Sequence, residues 1–153
     1  MATQTEQPKA TDAPGYDEDF YLWSLSTAEL IRSGRFDQVD RENVAEEIES
    51  LGKRDLRELN SRTITLLMHL LKRDHQPEKR SPSWSNTIDE QRSSIRLVIK
   101  DSPSLKRRLA DLRDDLYEEA VARAMGQTGL DRQVFPAVCP YTTAEVFGDW
   151  VEK

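Results

Sequence analysis

Between Asp55 and His75 the chain reads DLRELNSRTITLLMHLLKRDH, with apolar side chains at helical spacing. At 3.6 residues per turn, Leu59, Leu66 and Leu70 fall close together with Thr63 beside them, and Ile64, Leu67, Met68 and Leu71 cover most of the remaining circumference. A helix apolar on nearly all sides is normally interior, so this stretch predicts the central helix of a small bundle. One line along it stays polar: Asp55, Glu58, Arg62, Thr65, His69 and Arg73 share a face.

The same period places the other elements. A first helix is expected from about Asp17 to Ser33, with Phe20, Trp23, Leu30 and Ile31 inward and Gly34 as its stop. Asp40 is a good N-cap for a second helix whose seam is Val44, Ile48 and Leu51. Gly52 weakens that helix without obliging it to break, so residues 41–73 form one long helix or two divided near Gly52 and Lys53. After the loop QPEKRSPSWSN, Ser85 or Asn86 is the expected cap of a third helix with Ile88, Gln91, Ile95, Val98 and Ile99 inside. Ser102 and Pro103 open a fourth, in which Leu105, Leu109, Leu112, Leu116, Ala120 and Ala124 recur three or four apart until Gly126. The segment TGLDRQVFPAVCPY is irregular, and Thr142 to Glu145 has capping-box spacing for a short last helix through about Trp150. LVIK and QVFPAV are rich in β-formers, but the first lies in a helical stripe and the second is broken by proline. The expected fold is therefore all-α, a bundle of four main helices plus a short C-terminal one. It occupies residues 16–153 as one domain behind a disordered tail, residues 1–15.

Composition sharpens this picture. Of the 153 residues, 37% are hydrophobic and 33% charged, as expected of helices with heavily charged outer faces. No run of about 18 apolar residues exists, which excludes a membrane span. The N-terminal residues lack a basic start followed by an apolar block, so no signal peptide is expected. The lone Cys139 forms no internal disulfide, which suits the cytoplasm. Residues 72–108 hold ten basic and five acidic side chains within a protein of net charge −6. Nucleic acid is the less favoured partner for this zone, because no aromatic residues interleave with its bases.

Several blocks carry a family resemblance: YDEDFYLW at 16–23, VAEEIESLGKRDLREL at 44–59, LLMHLLK at 66–72, RSPSWSNTIDEQRSSI at 80–95, DSPSL at 101–105, YEEAV at 117–121, TGL at 128–130 and FPAVCPY at 135–141. Together they resemble a widespread uncharacterised bacterial family, abundant in cyanobacteria and known as a numbered domain of unknown function. The resemblance covers roughly residues 16–150. It implies a compact all-helical domain of bacterial, cytoplasmic origin, and it implies no activity, cofactor or catalytic residue. Where the family block has glutamate before TGL, this chain has Gln127.

Three constellations are candidates for chemistry. Glu46, Glu47 and His69, with Asp74 and His75, are metal-ligand types, and helical bundles hold metals through inward carboxylates and histidines. The diagnostic ExxH spacing is missing, however, and adjacent glutamates diverge around a helix, so no metal and no cofactor are expected. Arg62 and His69 fit the loose R-x4–6-H pattern of a helical RNase superfamily; histidine would move the proton of a ribose hydroxyl while arginine steadied the phosphate. The favoured alternative is structural: His69 bonded to a side chain or carbonyl, and Arg62 neutralised by Asp55, Glu58 or Glu47 in a buried ionic strip. Thirdly, Arg80, Ser81, Ser83 and Trp84 of the loop RSPSW, with Arg92, are candidates to bind a phosphate or a peptide. The favoured reading again is structural, with Trp84 as a hydrophobic staple and Arg80 on carbonyl ends. Cys139 has no basic sequence neighbours to activate it. An interaction or regulatory module, with a protein partner or a second copy of itself, is thus expected ahead of an RNase or a metal protein.

Overall fold

A computed structural model describes residues 13–153, and most of the expected tail lies outside the described residues. All secondary structure among the described residues is helical, and no strand occurs. Six α-helices follow one another: α1 (Phe20–Arg32), α2 (Arg41–His75), α3 (Pro82–Asp101), α4 (Leu109–Asp115), α5 (Tyr117–Thr128) and α6 (Thr143–Phe147). The chain divides into two compact units, one ending at Gly52 and the other Lys53–Lys153, and α2 is helical through Gly52.

In the N-terminal unit, the Asp19 carboxylate accepts from the Leu22 N–H at 2.9 Å and so starts α1. At the other end the Ser33 hydroxyl donates to the Glu29 carbonyl, and Gly34 turns the chain with φ +73°. The buried face of α1 is Trp23, Thr27 and Leu30, one ridge at spacings of four and three. Phe20 and Ile31, expected inside, are exposed. They lie to one side of that ridge, and a helix in so small a unit has only a narrow stripe covered. Tyr16 packs edge-on against Trp23, ring centroids 4.9 Å apart, and its hydroxyl donates to Glu47 on α2. Asp40 caps α2 through the Asn43 N–H.

The second unit holds the main hydrophobic cluster, every member of which lies between Leu59 and Phe147. Leu59, Leu66, Leu67, Leu70 and Leu71 of α2 are at most 1% exposed. They meet Ile88, Ile95, Val98 and Ile99 of α3, Leu109 and Leu112 of α4, Tyr117, Ala120, Val121 and Ala124 of α5, and Val146 and Phe147 of α6. The sequence-based interior helix is therefore found where its wrapping of leucines placed it.

Boundaries moved where proline and glycine acted differently from expectation. Helix α3 begins at Pro82 with Ser81 in the N-cap position, a turn earlier than Ser85 or Asn86. Proline is tolerated at N1 because that N–H has no helical partner to lose. Ser102 closes α3 instead of capping the next helix, and its hydroxyl donates to Asp55 at 2.6 Å. The expected fourth helix is three pieces: a 3₁₀ stretch Pro103–Arg108, α4 and α5. Bonds from Leu116 N–H to Leu112 and from Ala120 N–H to Leu116 carry across the bend, so the apolar spacing survives it. Gly126 lies inside α5, and Gly129, with φ +73°, supplies the left-handed residue that ends it. The capping box of Thr142 and Glu145 forms as expected.

Candidate functional site

The polar line on α2 has partners along its length. Arg62 Nε lies 2.9 Å from Glu58 Oε1 and its Nη1 donates to Gln91 at 3.3 Å. With side chains 31% and 41% exposed, that ion pair is not the buried strip expected. Asp55 instead takes the Ser102 hydroxyl, and Glu47 takes that of Tyr16. The strip fails because α3 meets this line with a neutral Gln91, leaving the charges at the water boundary, where a pair contributes little. Arg62 lines a shallow hollow of about 370 Å³ with Glu58, Ser61, Thr65 and Gln91; His69 is not among the lining residues.

His69 is half-buried, its Nδ1 2.9 Å from the Thr65 carbonyl one turn back. A carbonyl only accepts, so Nδ1 carries the hydrogen. Burial holds the imidazole below its usual pKa, Lys72 adds to this, and the carbonyl opposes it. The result is a neutral ring fixed in one tautomer.

The arginines proposed as binding groups hold backbone carbonyls. Arg80 Nε donates to the Arg73 carbonyl at 2.8 Å, closing the last turn of α2, where helical carbonyls lack partners. Arg92 reaches the Glu145 and Val146 carbonyls of α6, and burial lowers its pKa. Ser81 occupies the N-cap position of α3, and the Ser83 carbonyl accepts from the Thr87 hydroxyl. Trp84 covers the Lys72 ammonium, which sits 4.7 Å from its ring centroid and donates to Gln127 Oε1 at 2.7 Å. Lys72 is buried, and that burial lowers its pKa.

The carboxylates and the other histidine are likewise placed. Burial works against ionisation of Asp74, but hydrogen bonds from Arg73 and Tyr141 prevail and hold its carboxyl below the usual range. His75 packs edge-on against Phe135. Glu46 is exposed and Glu47 half-buried under Tyr16. Among the described residues no group of three or more His, Cys, Asp or Glu is arranged to hold a metal ion. Burial raises the Cys139 thiol, which points toward the Tyr141 carbonyl, so no reactive thiolate forms there.

What remains without a structural explanation is in the N-terminal unit. Phe20, Tyr21, Leu22, Leu25, Ile31, Phe36, Ile48 and Leu51 are each between 41% and 68% exposed. The seam read as core on the second helix is thus largely in water: Ile48 is 64% and Leu51 56% exposed. Tyr21, Leu22, Leu25 and Phe36 had no role in the sequence reading. A signal for the three on α1 existed: FYLWSLSTAELI is apolar over far more of its circumference than one neighbour covers. Single exposed apolar residues are ordinary, as at Leu97 and Val138, but eight within one short unit make a candidate recognition surface.

No helix of the described residues is long and apolar enough to cross a membrane. The family model described as "Domain of unknown function DUF29" matches residues 16–151. No curated protein and no solved structure matches the chain.

Proposed function

With membership of the family Domain of unknown function DUF29 as the premise, we propose that this protein is an interaction module of the bacterial cytoplasm that binds another protein through its N-terminal unit. One observation carries the reading: eight large apolar side chains of that unit stand in water. Three of them, Tyr21, Leu22 and Leu25, share the outer face of α1, away from its buried ridge of Trp23, Thr27 and Leu30, and form the apolar patch that a partner would cover. The polar groups of the second unit support the same view. Arg80 and Arg92 hold carbonyls, Arg62 is paired with Glu58, and His69 is turned onto its own helix.

A photo-reactive residue in place of Leu25 tests this in living cells. Ultraviolet light should yield a discrete adduct, absent when the same residue replaces the isolated, exposed Leu97. Equal labelling from both positions would refute the assignment of the surface.

A further inference from the structure

We infer that a hollow beside the 3₁₀ stretch Pro103–Arg108 binds the phosphate group of a small organic phosphate. The hollow belongs to the second unit, so this goes beyond the interaction reading and does not rest on it. The 3₁₀ geometry builds the near wall. Side chains three apart eclipse one another in such a helix, so Pro103 aligns with Lys106 and Ser104 with Arg107, while Leu105 packs against the main cluster. An α-helix over the same residues would turn the members of each pair apart by about 60°. Val151 closes the far side. It packs against the main cluster next to Trp150, whose indole N–H donates to the Phe147 carbonyl at 2.8 Å and whose ring centroid lies 5.9 Å from the Arg96 guanidinium. Gly148 admits this turn: it has φ +107°, and a Cβ there would come within 3.1 Å of Trp150 Cδ1. The space enclosed is about 400 Å³, lined by Pro103, Ser104, Lys106, Arg107 and Val151.

Charge selects the ligand. Arg62, Arg113, Arg123 and Arg132 each lie within 2.9 Å of a carboxylate. Lys106, Arg107 and the Ser104 hydroxyl have no side-chain partner among the described residues, and no carboxylate lines the hollow. The hollow beside Arg62 differs in holding Glu58, which already neutralises that arginine. A phosphate monoester carries about −1.5 to −2 at pH 7 and three acceptor oxygens, which two cations and a hydroxyl donor match. A carboxylate would leave one cation unmatched. Proline and valine give the hollow an apolar edge for the ligand's carbon atoms, and its volume is at the lower end of the roughly 300–1,000 Å³ of ligand sites. A polyanion suits it less. Asp101, Asp149 and Glu152 stand exposed beside the lining residues in the chain and would repel a continued line of phosphates.

The probes are propyl phosphate, inorganic phosphate and butyrate, each titrated into the isotope-labelled full chain while amide shifts are read by NMR. Propyl phosphate should shift the amides of Ser104–Arg107 and Val151 with a dissociation constant of about 1 mM or below. It should bind about threefold or more tightly than inorganic phosphate, from at least one buried methylene, and about tenfold more tightly than butyrate. The variants K106Q and R107Q should each weaken propyl phosphate about tenfold, whereas R123Q, which removes the same charge from α5, should leave it unchanged. Circular dichroism checks that each variant remains folded. No shift at these amides in the parent chain, an equal loss in R123Q, or butyrate binding as tightly as propyl phosphate would each overturn the inference. Inorganic phosphate binding as tightly as the ester would overturn its organic part. Single-stranded RNA shifting the same amides at micromolar concentration would identify a polyanion as the ligand and overturn the inference as well.

Discussion

Gln127→Glu should stabilise this protein, although it adds a negative charge to an acidic chain. The Lys72 ammonium is buried, donates to Gln127 Oε1 at 2.7 Å and faces the ring of Trp84. A neutral amide oxygen is a modest acceptor for a desolvated cation, while a carboxylate at the same place makes a charge-assisted bond about twice as strong. That difference is about 1 kcal/mol. Residue 127 is exposed, and solvent screening reduces the net gain to about 0.5–1 kcal/mol. For a chain of this size the melting temperature should rise by about 1–4 °C at pH 7. The pH dependence supplies the sign. Burial lowers the Lys72 pKa in the native state. Between that value and the ordinary 10.5 the unfolded chain binds more protons, so this group's contribution grows as pH rises through the window. A carboxylate at 127 lifts the native pKa toward the ordinary one and removes that alkaline gain. The advantage of the variant over the parent should therefore be largest near neutrality and shrink toward pH 10. Melting curves by circular dichroism at both pH values measure it. An unchanged or lowered melting temperature at pH 7 would refute the account of Lys72 as an under-neutralised buried cation.

Denaturant titration should separate the two units' apolar residues: Leu67→Ala, at a fully buried position, should cost about 2.5–5 kcal/mol, and Ile48→Ala, in water, under about 0.5 kcal/mol. The two glycines of α5 should respond with opposite sign. Gly126→Ala fills open space inside the helix and should gain about 0.5–1 kcal/mol, whereas Gly129→Ala, at φ +73°, should lose about 1 kcal/mol in the same assay. His69 should titrate below its ordinary 6.5, read from the ring proton shifts by NMR. The unfolded chain then takes up the proton first, so stability falls as pH drops below about 6.5 through the native pKa, and His69→Gln should flatten that fall. A native pKa at or above 6.5 would contradict the half-buried placement.

How much of this was legible in the chain depended on whether neighbours were needed to read it. Leu59 to Leu71 are apolar on so many sides that only an interior position suits them, and the structure buries them. Thr142 and Glu145 act within one turn, and their reciprocal bonds needed no tertiary information. Val44, Ile48 and Leu51 have an equally regular spacing, yet periodicity states that a face is apolar and not what covers it. Pro82 was read as loop because proline usually interrupts, while at the first helical position it costs nothing. Gly126 and Gly129 are three residues apart, and the spacing of glycines alone does not say that the helix runs through the first and takes its left-handed turn at the second. At the candidate site, Arg80 on a carbonyl end was anticipated, but Arg62 with Gln91 and Lys72 with Gln127 join residues 29 and 55 positions apart. No local pattern encodes such pairs.

Every residue of the main cluster lies between Leu59 and Phe147, so the part of the molecule that sets its resistance to melting contains none of the eight exposed side chains. Selection can therefore rewrite those eight exposed positions one residue at a time with little cost to stability. Diverging copies of such a gene would be expected to change their binding preferences early while their melting behaviour stayed alike.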